Sequence, residues 1–86
     1  MTKLKLKVSS IVNLFKKISG LTAVVVDDHA SLYETINHII EEKDLDLVIA
    51  VIEYSEKEDT CIINFSAGYD NNSFIEHLKL FENLLR

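Results

Sequence analysis

Two short stretches of the chain carry the residue types that do chemistry. In VVVDDHAS, Val24 to Ser31, three β-branched residues run into Asp27, Asp28 and His29. Adjacent carboxylates hold a hard cation such as Mg²⁺, with water and phosphate oxygens completing the shell. If the valines form a strand, the pair lies at its carboxyl end, where open α/β sheets bind ligands. In FSAGYD, Phe65 to Asp70, the residues Ser66, Gly68 and Asp70 precede a helical pattern whose first N–H groups can receive an anion. The two loops would make one ligand site if the strands before them were parallel neighbours. Each stretch also has a simpler account. Asp27 and Asp28 suit a helix N-terminus, as cap and as dipole partner. Gly68 suits a turn with positive φ, and Asp70 to Ser73 suit the cap of the next helix. Capping is the reading we favour at both.

Other chemistries are excluded by what is missing. His29, His38 and His77 share no ligand spacing, and Cys61 is the one cysteine, so no zinc site is expected and the identity of any metal stays unknown. No serine or cysteine stands in the setting of an activated nucleophile. Gly20 and Gly68 are the two glycines, too few for a P-loop or a dinucleotide fingerprint. No cofactor is expected. Cys61, among Ile62, Ile63 and Phe65, reads as a small buried apolar residue. A single cysteine without a CxxC pair fits a reducing cytoplasm. The lysine–leucine alternation at the start lacks the apolar core of a signal peptide. No stretch approaches the roughly 20 apolar residues of a membrane span.

The elements that must position these residues follow from period and punctuation. The chain has 86 residues and a net charge of −5. One domain, 1–86, is expected. Its core is thin for its surface, and dimerisation is an economical way to bury more. KLKLKV, Lys3 to Val8, alternates like a half-buried edge strand. Ser9 and Ser10 offer a cap to a helix of Ile11, Leu14, Phe15 and Ile18 that stops at Gly20. LTAVVV, Leu21 to Val26, reads as a buried central strand. Ser31 and Glu34 suggest a capping box for a helix of Leu32, Ile36, Ile39 and Ile40. Leu45 to Ser55 and Thr60 to Ser66 read as an antiparallel hairpin turning through Glu56 to Asp59. Ser73 and Glu76 suggest a second capping box, opening a helix in which Phe74, Leu78, Phe81 and Leu85 form the apolar face. The expected fold is a small α/β (α+β) domain. It has a three- to four-stranded mixed sheet and three helices, in the order β-α-β-α-β-β-α.

Two resemblances attach to these segments. VVVDDHAS, the helix after it and the strand Leu45 to Ile52 resemble response-regulator receiver domains, in which an acidic pair ending a strand binds Mg²⁺. The resemblance implies that role for Asp27 and Asp28, but Asn64 stands where the phospho-acceptor aspartate belongs, so receiver activity is not expected. Residues from about Ser31 to Arg86 resemble small α/β proteins of unknown function encoded by phages and prophages. The parts that match are LVIAVIEYS, EKED, CIINFSAG and FIEHLKLFENLLR. That likeness implies a setting and no reaction.

The expected function is therefore a non-enzymatic interaction protein, a phage or prophage modulator or inhibitor of a host protein. It would act through an acidic or apolar surface: Glu53, Tyr54, Glu56, Glu58 and Asp59 around the hairpin, with Phe74 and Phe81 on the last helix. A protein partner and a homodimer are expected. Nucleic acid is not, because the basic clusters are confined to Lys3/Lys5/Lys7 and Lys16-Lys17. No membrane contact is expected either. The alternative is a small-ligand or divalent-cation (nucleotide or phosphate) binding domain that uses the loops after Val26 and Phe65.

Overall fold

The computed structural model describes residues 2–86, and Met1 lies outside it. Strand β1 spans Thr2–Lys7, helix α1 Val8–Ser19, α2 His29–Glu42, strands β2 and β3 Leu47–Ser55 and Thr60–Ala67, and α3 Phe74–Leu84. A 3-10 turn, Asn71–Ser73, leads into α3. The sheet has the order β1-β3-β2, and both pairs are antiparallel. The fold is therefore α+β with three helices and three strands, in the order β-α-α-β-β-α. The expected parallel pairing and mixed sheet do not occur among the described residues.

The difference lies in Leu21 to Val26, which forms no strand. Valine-rich sequence favours extended backbone, but it does not by itself select a partner edge. The central strand β3 is flanked by β1 and β2, and the run joins the outer edge of neither. The run instead links α1 to α2, with Leu21 53% and Val25 75% exposed. Val26 alone of these packs against the core. Its carbonyl accepts a hydrogen bond from Tyr54 Oη at 3.3 Å.

Helix α1 follows β1 without a loop, so Ser9 and Ser10 lie inside it and Lys7 occupies the cap position with no side-chain cap. The free N–H groups of its first turn are satisfied from the hairpin turn. Val8 N–H donates to the Asp59 carbonyl at 3.0 Å and Ser9 N–H to Asp59 Oδ2 at 3.4 Å. Asp59 holds a φ of 54°, which aspartate tolerates better than most residues. At the other end Gly20, with φ 76°, closes α1 by donating its N–H to the Lys16 carbonyl, as expected for a glycine stop.

All three helices cover one face of the sheet. Cys61, Ile63 and Phe65 of β3 alternate inward and are buried. Around them close Ile11 and Leu14 of α1, Leu32, Ile36 and Ile39 of α2, and Leu78 and Phe81 of α3. Phe65 and Phe81 meet edge to face, with centroids 5.3 Å apart. Leu4 and Leu6 extend this face on β1, and Leu47, Ile49, Ile52 and Tyr54 extend it on β2. The other face carries Lys3, Lys5 and Lys7, then Ile62 and Asn64, then Val48, Val51 and Glu53. No helix lies over it.

Strand β2 keeps this two-faced pattern only because its register slips. Ile49 pairs with Phe65 and Val51 pairs with Asn64, so Ala50 is an extra residue. Strict alternation from Ile49 would send Glu53 into the core beside Ile49. The bulge resets the phase, so Ile52 and Tyr54 face inward and Glu53 faces out. Deleting Ala50 is therefore expected to preserve the fold, with a melting temperature within a few degrees of wild type by circular dichroism. Replacing Ile52 by glutamate, in contrast, puts a carboxylate into the core column opposite Ile63. It is expected to cost several kcal/mol, the scale of a buried unpaired charge, and to abolish the cooperative transition.

Candidate functional site

At the start of α2, Asp28 is the N-cap residue. Its Oδ1 accepts from Ser31 N–H at 2.7 Å, while Ser31 Oγ accepts from Asp28 N–H at 3.2 Å. The capping box is thus Asp28–Ser31, one turn earlier than the Ser31–Glu34 pairing suggested by the sequence. Ser31 Oγ also accepts from Asp27 N–H at 3.1 Å. The Ser31 donors hold the Asp28 carboxyl below the usual carboxylate range. His29 is exposed, with its ring 5.9 Å from Tyr54 in an edge-on contact.

At the opposite end of the sheet the organising residue is Asp46, just before β2. Its carboxylate accepts from Tyr69 N–H at 2.7 Å and Asp70 N–H at 2.8 Å. Its carbonyl accepts from Gly68 N–H at 3.2 Å, and its own N–H donates to His77 Nδ1 at 2.6 Å. One residue thereby ties the start of β2 to the β3–α3 loop and to α3. The loop amides hold the Asp46 carboxyl below its ordinary range. Gly68 does not take the positive φ expected of it; Gly20 is the glycine that does. Gly68 is required for a different reason: a Cβ there would collide with Asp46 Oδ1. Asp70 caps the 3-10 turn, accepting from Asn72 N–H and Ser73 Oγ, both at 2.9 Å. The box expected between Ser73 and Glu76 is absent, since Ser73 makes no side-chain cap.

The two loops do not converge. Asp27 to His29 adjoin Tyr54, which pairs with Cys61 near the hairpin turn. Ser66 pairs with Val48 at the far end. Between those rows lies about 17 Å of strand, at the usual rise of about 3.4 Å per residue. The composite site of Asp27, Asp28, His29, Ser66, Gly68 and Asp70 is not assembled, because the run expected to set them side by side is not in the sheet. No group of three or more His, Cys, Asp or Glu residues among those described is placed to hold a metal.

The remaining candidates separate by burial. Phe81 is fully buried and cannot form an interaction surface, and Phe74 packs partly against the same core. Tyr54 is half-buried; burial and the nearby Glu56 and Asp27 raise its phenol above the ordinary range. Glu53, Glu56, Glu58 and Asp59 are exposed, though Asp59 is also committed to α1. Cys61 is buried as expected, and burial pushes its thiol up to about 11, so it stays protonated and unreactive. His38 meets Phe15 edge-on at 5.1 Å and lies 3.9 Å from Glu42. Asp46 and His77 are the residues that reading the sequence missed. Their signal is faint: an aspartate interrupting the apolar run Leu45 to Ile52, and a histidine in an apolar helix.

Comparison with protein-family models, curated proteins and solved structures returned no match. No helix among the described residues is long and apolar enough to cross a membrane.

Replacing Gly68 by alanine should displace the Asp46 carboxylate from its amide donors. The expected loss is about 1–3 kcal/mol by urea denaturation, the range of losing hydrogen bonds to a charged acceptor. Asp28 and Asp46 also set an acid limit. Both titrate lower in the folded chain than the ordinary 3.8, so the unfolded chain takes up protons first as pH falls. Their stabilisation is complete above that value and is lost as pH drops through the folded pKa. Melting temperature should fall below pH 3.8 in the wild type. Asp46→Asn should melt lower at neutral pH and show a shallower acid decline.

Proposed function

We propose that this chain is a non-enzymatic interaction protein whose binding surface is the helix-free face of its sheet. The observation that carries this reading is the one-sided packing of the helices. It leaves Val48 and Val51, each 48% exposed, on a sheet face shared with Lys3, Lys5, Lys7 and Glu53. Contiguous apolar surface rimmed by charge is characteristic of protein-binding sites. Asp28 and Asp70, which the sequence offers for chemistry, cap backbone instead; Asp46 does the same for the β3–α3 loop, and His77 accepts from an amide.

The acidic turn continues this surface, with Glu56 and Glu58 exposed beyond the last paired row. The likeness of residues 31–86 to phage-encoded proteins supports a modulator of a host protein, and a partner with basic groups beside an apolar patch fits the turn. No observation favours the ligand-binding alternative, since its two loops lie at opposite ends of the sheet.

A photo-crosslinking amino acid in place of Val51 tests the surface in the expressing cell. Discrete adducts from position 51, absent when the same group replaces Tyr33 on α2, are the expected result. Tyr33 is a fair control because it is 44% exposed on the helical side. Equal labelling from both positions, or none from position 51, would remove the helix-free face as the binding surface.

A further inference from the structure

We propose that the helix-free face takes a second copy of this chain, face to face about a two-fold axis parallel to the strands. This rests on the reading of that face as a binding surface and names its occupant. Lys5 pairs with Ile62, and Ile62 pairs with Glu53, so a lysine and a glutamate flank one isoleucine on the open face. Lys5 and Glu53 are both exposed. Their backbones stand about 10 Å apart on either side of Ile62, and the two side chains, which rise from the same face instead of toward each other, form no ion pair. Among the described residues the ion pair within 4.0 Å is His38 with Glu42, at 3.9 Å, so Lys5 and Glu53 are both unpaired.

This row is its own complement. A two-fold axis parallel to the strands and passing by Ile62 lays β1 of one copy over β2 of the other. Lys5 then faces Glu53 of the second copy, Glu53 faces its Lys5, and the two Ile62 side chains meet between the pairs. Sheets stack about 10 Å apart, a span that Lys and Glu cross together. The neighbouring rows agree. The stem of Lys3 covers Val51 of the second copy, and Lys7 lies beside its acidic turn at Glu56 and Glu58. The other two-fold arrangement, with the axis across the strands, stacks Lys5 on Lys5 and Glu53 on Glu53. Like charges so placed oppose association. The charges thus select one orientation, and in it every copy supplies both halves of the contact.

The face sets the strength as well. It is three strands wide, about 14 Å, and about 20 Å long, so two copies cover only about 560 Å² of flat sheet between them, less than stable specific interfaces bury. The dimer is a weak one that dissociates on dilution.

Sedimentation equilibrium over about a hundredfold range of concentration reads the association directly. The wild type is expected to pass from monomer to dimer. Lys5→Glu and Glu53→Lys each place like charges across both contacts and are expected to weaken dimerisation about a hundredfold. An equimolar mixture of the two variants restores both pairs in a mixed dimer, and so does the double variant K5E/E53K with itself. This rescue separates a lost contact from a lost fold. A monomeric wild type, or single variants that dimerise as the wild type does, would overturn the proposal. A mixture that stays monomeric would overturn it too. A monomeric wild type alongside position-51 adducts to another protein would sink the dimer and leave the binding surface standing.

Discussion

Everything in this fold answers to one column of side chains. Cys61, Ile63 and Phe65 alternate along the central strand, and each is buried. A strand flanked on both sides cannot hide that column with its own neighbours; only helices laid across one face can. Three helices do so, and their apolar stripes converge on the same cluster. The paired residues Lys3 to Lys7 of β1 and Leu47 to Ser55 of β2, Ala50 aside, are thereby assigned to one of two environments. Lysines at alternate positions of β1 satisfy the assignment without adjustment. In β2 the run Leu47 to Tyr54 does not alternate, and the bulge at Ala50 reconciles its sequence with the face it must show.

The same economy governs the carboxylates. A helix or loop that begins abruptly leaves backbone N–H groups without partners, and leaving them unmade is expensive in a chain with a thin core. Asp28 solves this locally for α2. Asp59 and Asp46 solve it at long range, for α1 and for the β3–α3 loop. Each long-range contact ties elements distant in sequence, so it fixes the tertiary arrangement as well as capping a terminus. This explains how an acidic chain with aspartates in suggestive places assembles no metal cluster among its described residues. The lone pairs that would bind a cation are directed at amides.

Local pattern made most of the elements legible. The edge strand of alternating lysines, the glycine stop at Gly20, the hairpin, the three amphipathic helices and the buried Cys61 are all written in period and punctuation. What was not legible depends on partners. Leu21 to Val26 has strand composition, but composition does not say which edge a run joins; the outer edges of β1 and β2 stay unpaired by it, and the run connects α1 to α2. The caps failed for a related reason. Ser9 and Ser10 look like a cap because serine so often is one, whereas the acceptor that serves α1 lies 50 positions away on the hairpin. Gly68 reads as a glycine of positive φ, whereas a close approach by Asp46 is what requires it, and no periodicity encodes that approach. The expected ligand site fell with the strand that was to build it.

A sheet covered on one side must do something with the other. If that face were wholly apolar, the monomer would aggregate through it; if it were wholly charged, it would have no reason to meet anything. Here the lysines occupy one edge, a glutamate the opposite strand, and half-buried Ile62 and Asn64 the centre. Lysine on an edge strand ordinarily blocks unwanted pairing, because a desolvated ammonium costs more than a ladder hydrogen bond returns. Face to face the same lysine is no obstacle, since its long stem lies over apolar surface while its charge reaches an opposite charge. The bulge that turns Glu53 outward therefore has two consequences. It spares the core a carboxylate, and it supplies the acidic half of a surface whose basic half is the alternating lysines of β1.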